Sequence, residues 1–288
     1  MFIATLIAKE RLARGDISAA ADAVQASGWT WIEEGRAADL HFAEAPEAAR
    51  AALEGLIPGT DVVVQRSSDR RRRLLVADMD STMIGQECID ELADFAGLKA
   101  EIAAITDRAM QGELDFEAAL EARVALLKGL DEGAIERCLA ERVTITPGAR
   151  ALVRTMKREG ARTLLVSGGF DRFADRVADA IGFDSALSNR LGIAGGRLDG
   201  TVASPIVGAA AKGDALVKAA AAAGIPLSAT LAVGDGANDI PMVEAAGLGI
   251  SYHGKPALGA VADVRIAHND LGALLYAQGF ARSSWEAD

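Results

Sequence analysis

Leu74-Leu75-Val76-Ala77-Asp78-Met79-Asp80-Ser81-Thr82 is the stretch that decides the fold. Four apolar residues run directly into two carboxylates one residue apart, so a strand of the kind buried on both faces of a parallel sheet ends in an acidic turn. On extended backbone, residues i and i+2 point to the same side. Asp78 and Asp80 therefore crowd each other, and repel unless one is protonated or a cation lies between them. Hard oxygen ligands at such a place favour Mg²⁺. A loop of solvated aspartates followed by a Ser/Thr helix cap fits the same letters.

Downstream, strand-like runs recur as ARTLLVSGG (161–169), ATLAVGDG (229–236), GLGISY (247–252) and ADVRIA (262–267), alternating with helical patterns at 171–181 and 209–223. Such alternation predicts an α/β fold, a Rossmann-like parallel sheet covered on both faces, over 74–83 and 147–288. Residues 84–146 are too many for one crossover and divide into four helical patterns. They are expected to form a helical-bundle cap over the sheet's carboxyl edge, where open α/β sheets bind ligands. Upstream, residues 1–66 read β-α-β-β-α-β, the order of a small α+β ferredoxin-like domain. Between the two lies RSSDRRRR (66–73), polar and aperiodic, expected to be a solvated hinge with the linker at 67–73.

The 288 residues carry 30 Lys+Arg against 41 Asp+Glu, a net charge of −11, which argues against nucleic acid as a partner. The longest uncharged stretch, Ala219–Gly234, is 16 residues and is broken by Gly224 and Pro226, so no membrane span is expected. MFIATLIAKE has no basic residue ahead of its apolar run and reads as a first strand, which makes a cytoplasmic location the expectation. Cys88 and Cys138 are too few for a disulfide framework and read as small core residues.

Other candidates stand at strand or helix ends. Gly234-Asp235-Gly236-Ala237-Asn238-Asp239 fails the dinucleotide fingerprint, because Asp239 occupies its third glycine, and fails the EF-hand loop at Ala237. It reads as a second acidic cluster or as a capped turn. In Ser167-Gly168-Gly169-Phe170 the glycines let backbone N–H groups approach an anion, and the Ser167 hydroxyl adds a donor. Leu165 breaks the serine-hydrolase elbow. Lys212 sits in the first turn of an apolar helix, where the dipole disfavours a cation, so an anion should compensate unless the side chain reaches solvent. Arg123 shares a stripe with Phe116, Leu120 and Leu127 and has no helix neighbour to neutralise it, so it reaches an anion from elsewhere or snorkels to water. Glu87 begins the acidic face of a helix with Asp90, Glu91 and Asp94.

In order, DMDST, SGG, Lys212 and GDGAND resemble the motifs of the haloacid dehalogenase superfamily of aspartate-nucleophile phosphotransferases, over residues 74–280. In the cap, MQGELDFEAALEARVALLKGL (110–130) is similar to the phosphoserine phosphatases of that superfamily. The resemblance implies Mg²⁺-dependent hydrolysis of O-phospho-L-serine, the last step of L-serine biosynthesis. Asp78 would be the nucleophile and Asp80 the acid–base. Asp78, the Asp80 backbone carbonyl and Asp235 would hold the metal, with Asp239 behind them. Ser167, Gly168, Lys212 and Asn238 would bind phosphate, Glu87 the substrate ammonium and Arg123 its carboxylate, while Met110 and Phe116 would shield the site. Residues 1–66 resemble ACT-like modules, although AKERLARGD (8–16) lacks their compact glycine loop, and such modules commonly pair, which implies a homodimer. A related phosphatase or phosphotransferase acting on phosphohomoserine or phosphothreonine, and a phospho-aspartate signalling switch, are the competing functions.

Overall fold

The computed structural model describes residues 1–110 and 115–288, apart from the side chains of Asp107, Ala109 and Met110. The chain begins with β1 (Phe2–Ala8), α1 (Arg14–Ala23), β2 (Gly28–Glu33), β3 (Ala37–Phe42), α2 (Pro46–Leu53) and β4 (Thr60–Arg66). The four strands form an antiparallel sheet in the order β2-β3-β1-β4, the arrangement expected from the sequence. Period-2 alternation sends Ala4, Leu6, Leu40 and Val62 under the two helices, where they meet Ile17 and Leu53. Ile7, Ala37 and Val63 leave the opposite face and join the core of the following domain. That second burial explains why β1 is apolar apart from Thr5, whose hydroxyl donates to Asp39 Oδ1 at 2.7 Å.

After β5 (Leu74–Ala77), the cap comprises α3 (Cys88–Phe95), α4 (Lys99–Met110), α5 (Phe116–Leu126) and α6 (Gly133–Arg142). The chain then continues through α7 (Ala149–Arg158), β6 (Arg162–Phe170), α8 (Asp171–Ile181), β7 (Ser185–Asn189), the hairpin β8 (Leu191–Ala194) and β9 (Arg197–Val202), and α9 (Ala209–Ala222). It closes with β10 (Thr230–Gly234), α10 (Ile240–Ala245), β11 (Gly249–Tyr252), α11 (Pro256–Val261), β12 (Val264–Ile266) and α12 (Ala273–Ala277). The central sheet runs β12-β11-β10-β5-β6-β7, and every pairing in it is parallel. β7 and the β8–β9 hairpin are additions to the strands read from the sequence, because SALSN at the sheet edge is too polar to signal a strand.

The hairpin grips the cap. Leu198 N–H donates to the Leu130 carbonyl at 2.8 Å, Gly129 N–H to the Leu198 carbonyl at 2.8 Å, and Glu132 N–H to the Gly196 carbonyl at 3.0 Å. Arg197 adds a bond from its guanidinium to the Gly129 carbonyl at 2.7 Å. Cys88 and Cys138 are unpaired and fully buried, as expected.

The expectation of a solvated arginine hinge is corrected. Arg72 is only 6% exposed and donates to the Ser228 carbonyl at 2.6 Å, the Gly247 carbonyl at 3.2 Å and the Gln65 carboxamide oxygen at 2.7 Å. Arg70 forks onto Asp39 at 2.6 and 2.8 Å and also reaches the carbonyls of Tyr276 and Ala277. Side-chain polarity predicted exposure, but a guanidinium offers five donors in a rigid fork and can satisfy carbonyls that no backbone partner reaches. The segment staples the two sheets together.

Candidate active site

β10, β5 and β6 are neighbours, so the residues that follow or end them converge at one carboxyl edge. Asp78 leaves β5, Ser167 and Gly168 lie at the end of β6, and Asp235 follows β10. Asp78 is 4% exposed, and its Oδ1 accepts a hydrogen bond from Lys212 Nζ at 2.6 Å. The same ammonium donates to Asp239 Oδ1 at 2.7 Å, while Asp239 Oδ2 accepts from the N–H groups of Asp235 and Gly236, each at 3.1 Å. Lys212 is 1% exposed, so the compensating anions demanded by its helix position are these two carboxylates. Burial alone would lower the Lys212 pKa, but Asp78 and Asp239 outweigh it and the net shift is upward.

Past Asp78 the backbone does not enter a regular helix. Asp80 is extended, and Ser81 takes a left-handed φ of 55°, strained for a residue with a side chain. The turn lets Ser81 Oγ donate to Glu87 Oε1 at 2.8 Å, which ties the start of the cap to the acidic turn. Asp80 Oδ1 accepts the Cys88 N–H at 3.4 Å. Burial, and next the charge of Glu87, push the Asp80 pKa up to about 7. Burial likewise raises Asp78. Asp235 is pushed up to about 6 by burial and then by Asp239.

A cleft of about 120 Å³ opens above these groups. Asp78, Asp80, Glu87, Phe116, Arg123, Ser167, Gly168, Asp235 and Asn238, all singled out in the sequence, line it together. Lys212 and Asp239 lie behind Asp78, bonded to it or to the Asp235 turn. Met110 ends α4 in the cap, and its side chain lies outside the described residues. Arg123 donates from Nε to the Ala119 carbonyl at 3.2 Å and has no carboxylate within 4.0 Å among the described residues. Burial lowers its pKa, opposed by Asp90 and Glu87. The Phe116 ring lies over Gly168 and Gly208, 3.3 Å from the point a Cβ would occupy on either. Ser167 Oγ accepts the Gly169 N–H at 2.9 Å.

Two further contributors had no role assigned from the sequence, although their stretches, NRL (189–191) and GISYHGKP (249–256), also resemble the haloacid dehalogenase superfamily. Asn189 is buried and donates to the Gly168 carbonyl at 2.9 Å, while its Oδ1 accepts the Val207 N–H at 2.7 Å, so it holds the phosphate-sized turn in shape. Lys255 lines the cleft opposite the cap, and its N–H donates to the Asp235 carbonyl at 2.8 Å. A cation three residues beyond the strand GISY was the available signal.

Ligand atoms of Asp78, Asp235 and Asp239 all lie within 4.8 Å of one another, an all-carboxylate donor set that fits a hard divalent cation. Asp239 already spends both oxygens on Lys212 and on the Asp235 and Gly236 N–H groups. Asp78 and Asp235 are thus the carboxylates able to face an ion, with Asp239 orienting them.

This sheet, with its strand-end aspartates and cap, is that of the haloacid dehalogenase-like hydrolase family, to which the chain belongs and whose model matches residues 75–244. It is 46% identical over 238 residues to a phosphoserine phosphatase of Streptomyces coelicolor, covering 82% of this chain and 58% of the relative. A probable phosphoserine phosphatase from Vibrio cholerae, in unliganded form, superposes with a TM-score of 0.80 at 32% identity, covering 98% of this chain and 88% of that one. A phosphoserine phosphatase solved as a phospho-aspartyl intermediate analogue superposes with a TM-score of 0.66 at 41% identity, covering 72% of this chain and 98% of that one. The chain spans 53% to 62% of the length of three curated relatives it matches. Among the described residues, no helix is long and apolar enough to cross a membrane.

Proposed function

We propose that the chain hydrolyses O-phospho-L-serine to L-serine and phosphate, the closing step of serine biosynthesis, through an aspartyl phosphate on Asp78. The observation that carries this is the content of one cleft: a desolvated carboxylate at a central strand end, a neighbouring carboxyl raised to about 7, and an acid and a base on the cap side, Glu87 and Arg123. Glu87 suits an ammonium and Arg123 a carboxylate, so a zwitterionic alcohol phosphate satisfies both. The relatives named phosphoserine phosphatase support the same substrate.

In the first half-reaction an Asp78 carboxylate oxygen attacks phosphorus, the bond to the substrate oxygen breaks, and protonated Asp80 gives that oxygen its proton. In the second, Asp80 takes a proton from water, whose oxygen attacks phosphorus and releases phosphate and the Asp78 carboxylate. The detour through a covalent ester replaces one difficult displacement by two easier ones. Ser167 Oγ and the glycine N–H groups offer donors to the phosphoryl oxygens, and Lys212 aims Asp78 and favours its ionised form against the opposing effect of burial. Mg²⁺, held by Asp78, Asp235 and the Asp80 carbonyl, would neutralise phosphoryl charge. Phe116 and the cap exclude water from the first step.

Residues 1–66 as an ACT-like pairing module, 67–73 as its link, 74–83 with 147–288 as the catalytic core and 84–146 as the cap complete the proposal. A homodimer through residues 1–66 and a cytoplasmic location belong to it, the latter supported by two unpaired buried cysteines. A panel of phosphomonoesters, with and without Mg²⁺, tests the function. Asp78→Asn should abolish turnover of every ester, and Arg123→Ala should selectively harm amino-acid esters. Equal loss on all esters for Arg123→Ala overturns the substrate assignment.

A further inference from the structure

Asp61 lies on β4, in the N-terminal sheet, yet all its side-chain hydrogen bonds cross into the catalytic core. Its carboxylate is 3% exposed and accepts from the N–H of Ala267 at 2.9 Å, of His268 at 3.2 Å and of Asn269 at 3.0 Å, and from the Asn269 side-chain amide at 2.8 Å. A carboxylate taking three successive backbone N–H groups fixes that turn as an anion fixes a nest. Asn269 is held a second time, by the Ile7 carbonyl at 2.9 Å.

The turn is one residue shell from the cleft. The Asn269 carbonyl meets His253 Nε2 at 3.0 Å, and His253 N–H donates to the Ile266 carbonyl at 2.8 Å. His253 has a φ of 44°, a left-handed conformation that a β-carbon disfavours and that persists where surroundings impose it. Both of its fastenings lie on the segment bordered by Asp61. From His253 the chain passes Gly254, where a side chain would strike Ser251 Oγ, and reaches Lys255, whose N–H locks to the Asp235 carbonyl and which lines the cleft.

We propose that Asp61 is a positioning residue for the active site: through Asn269 and His253 it sets the turn that presents the Lys255 ammonium to the dianionic phosphoryl group. The N-terminal domain is on this account a structural part of the catalytic cleft. The proposal rests on the chain being a phosphomonoesterase, and any phosphate monoester reports on it, since Lys255 would meet the phosphoryl end.

The test is a double-mutant cycle on the full chain with saturating Mg²⁺, using Asp61→Ala, Lys255→Ala and the double variant. kcat/KM is measured on both phosphoserine and p-nitrophenyl phosphate, per folded molecule as counted by near-UV circular dichroism. Each single variant should lose roughly tenfold, the size expected of outer-shell support, and the double variant should be no worse than Lys255→Ala. Multiplicative losses, or an undiminished Lys255→Ala, overturn the proposal. If Asp61→Ala does not fold, His253→Ala replaces it, cutting the same link without touching the domain interface, and the same two outcomes decide. Turnover of p-nitrophenyl phosphate without phosphoserine would sink the substrate assignment alone and leave the cycle readable.

Discussion

Replacing Lys212 by methionine removes a buried charge while nearly conserving volume. Its ammonium lies 2.6 and 2.7 Å from two carboxylate oxygens. At an effective dielectric of about 20, each contact carries about 6 kcal/mol of gross attraction. Desolvation of the three ions cancels much of that, and losing one partner of a buried ionic group leaves a net cost of about 3–5 kcal/mol. At roughly 2–4 °C per kcal/mol for a domain of this size, the melting temperature should fall by roughly 6–20 °C. The deficit should depend on pH in a defined direction. Without the ammonium, Asp78, which burial already pushes up, holds its proton more tightly folded than unfolded, so the variant loses stability as pH rises past the unfolded carboxylate value of about 4. Thermal melts in EDTA at pH 5 and pH 8, compared with wild type, measure this. A deficit below about 1 kcal/mol, or one of equal size at both pH values, would refute a charge-compensating role for Lys212.

Mg²⁺ binding should weaken as pH falls below about 6, because the proton held by Asp235 must leave first; calorimetry in buffers of different ionisation enthalpy would show proton release, and its absence would exclude Asp235. The rate of serine release in the first turnover should decline as pH rises past about 7, since Asp80 donates only when protonated, and rapid-quench traces for Asp80→Asn should show no such limb. Gly234→Ala should cut metal affinity by roughly 10–100-fold, because a Cβ there would overlap the Asp239 carboxylate that orients Asp235; titration with unchanged affinity would count against Asp239 as an orienting group.

The acidic turns were legible because each is contiguous and ends a strand whose apolar run has no period. Asp78, Asp80 and Asp235 stood out at strand ends and Lys212 at a helix start, their roles came only with the family resemblance, and the parallel sheet that brings them together follows from alternation. What escaped reading depends on distance in sequence. Arg72 is buried by carbonyls at Ser228 and Gly247, Asn189 by Gly168 and Val207, and Asp61 by N–H groups at 267–269. Each is a polar side chain most of whose partners are backbone atoms, and backbone donors and acceptors leave no trace in residue type. The faces of β1 were half legible: its run, apolar but for Thr5, signals burial on both sides, but only the structure shows that one side belongs to another domain's core.

The β8–β9 hairpin acts mechanically as a tiller. Its tip is bonded to the connection between α5 and α6, and its two roots, at Asn189 and just before Val207, share the carboxamide that fastens Gly168. Any swing of the helical bundle must therefore either snap backbone bonds at the tip or carry the hairpin along and tug the oxyanion cradle at its base. Opening and slackening of the cradle would then be a single movement, so product phosphate loses its grip at the moment its exit clears.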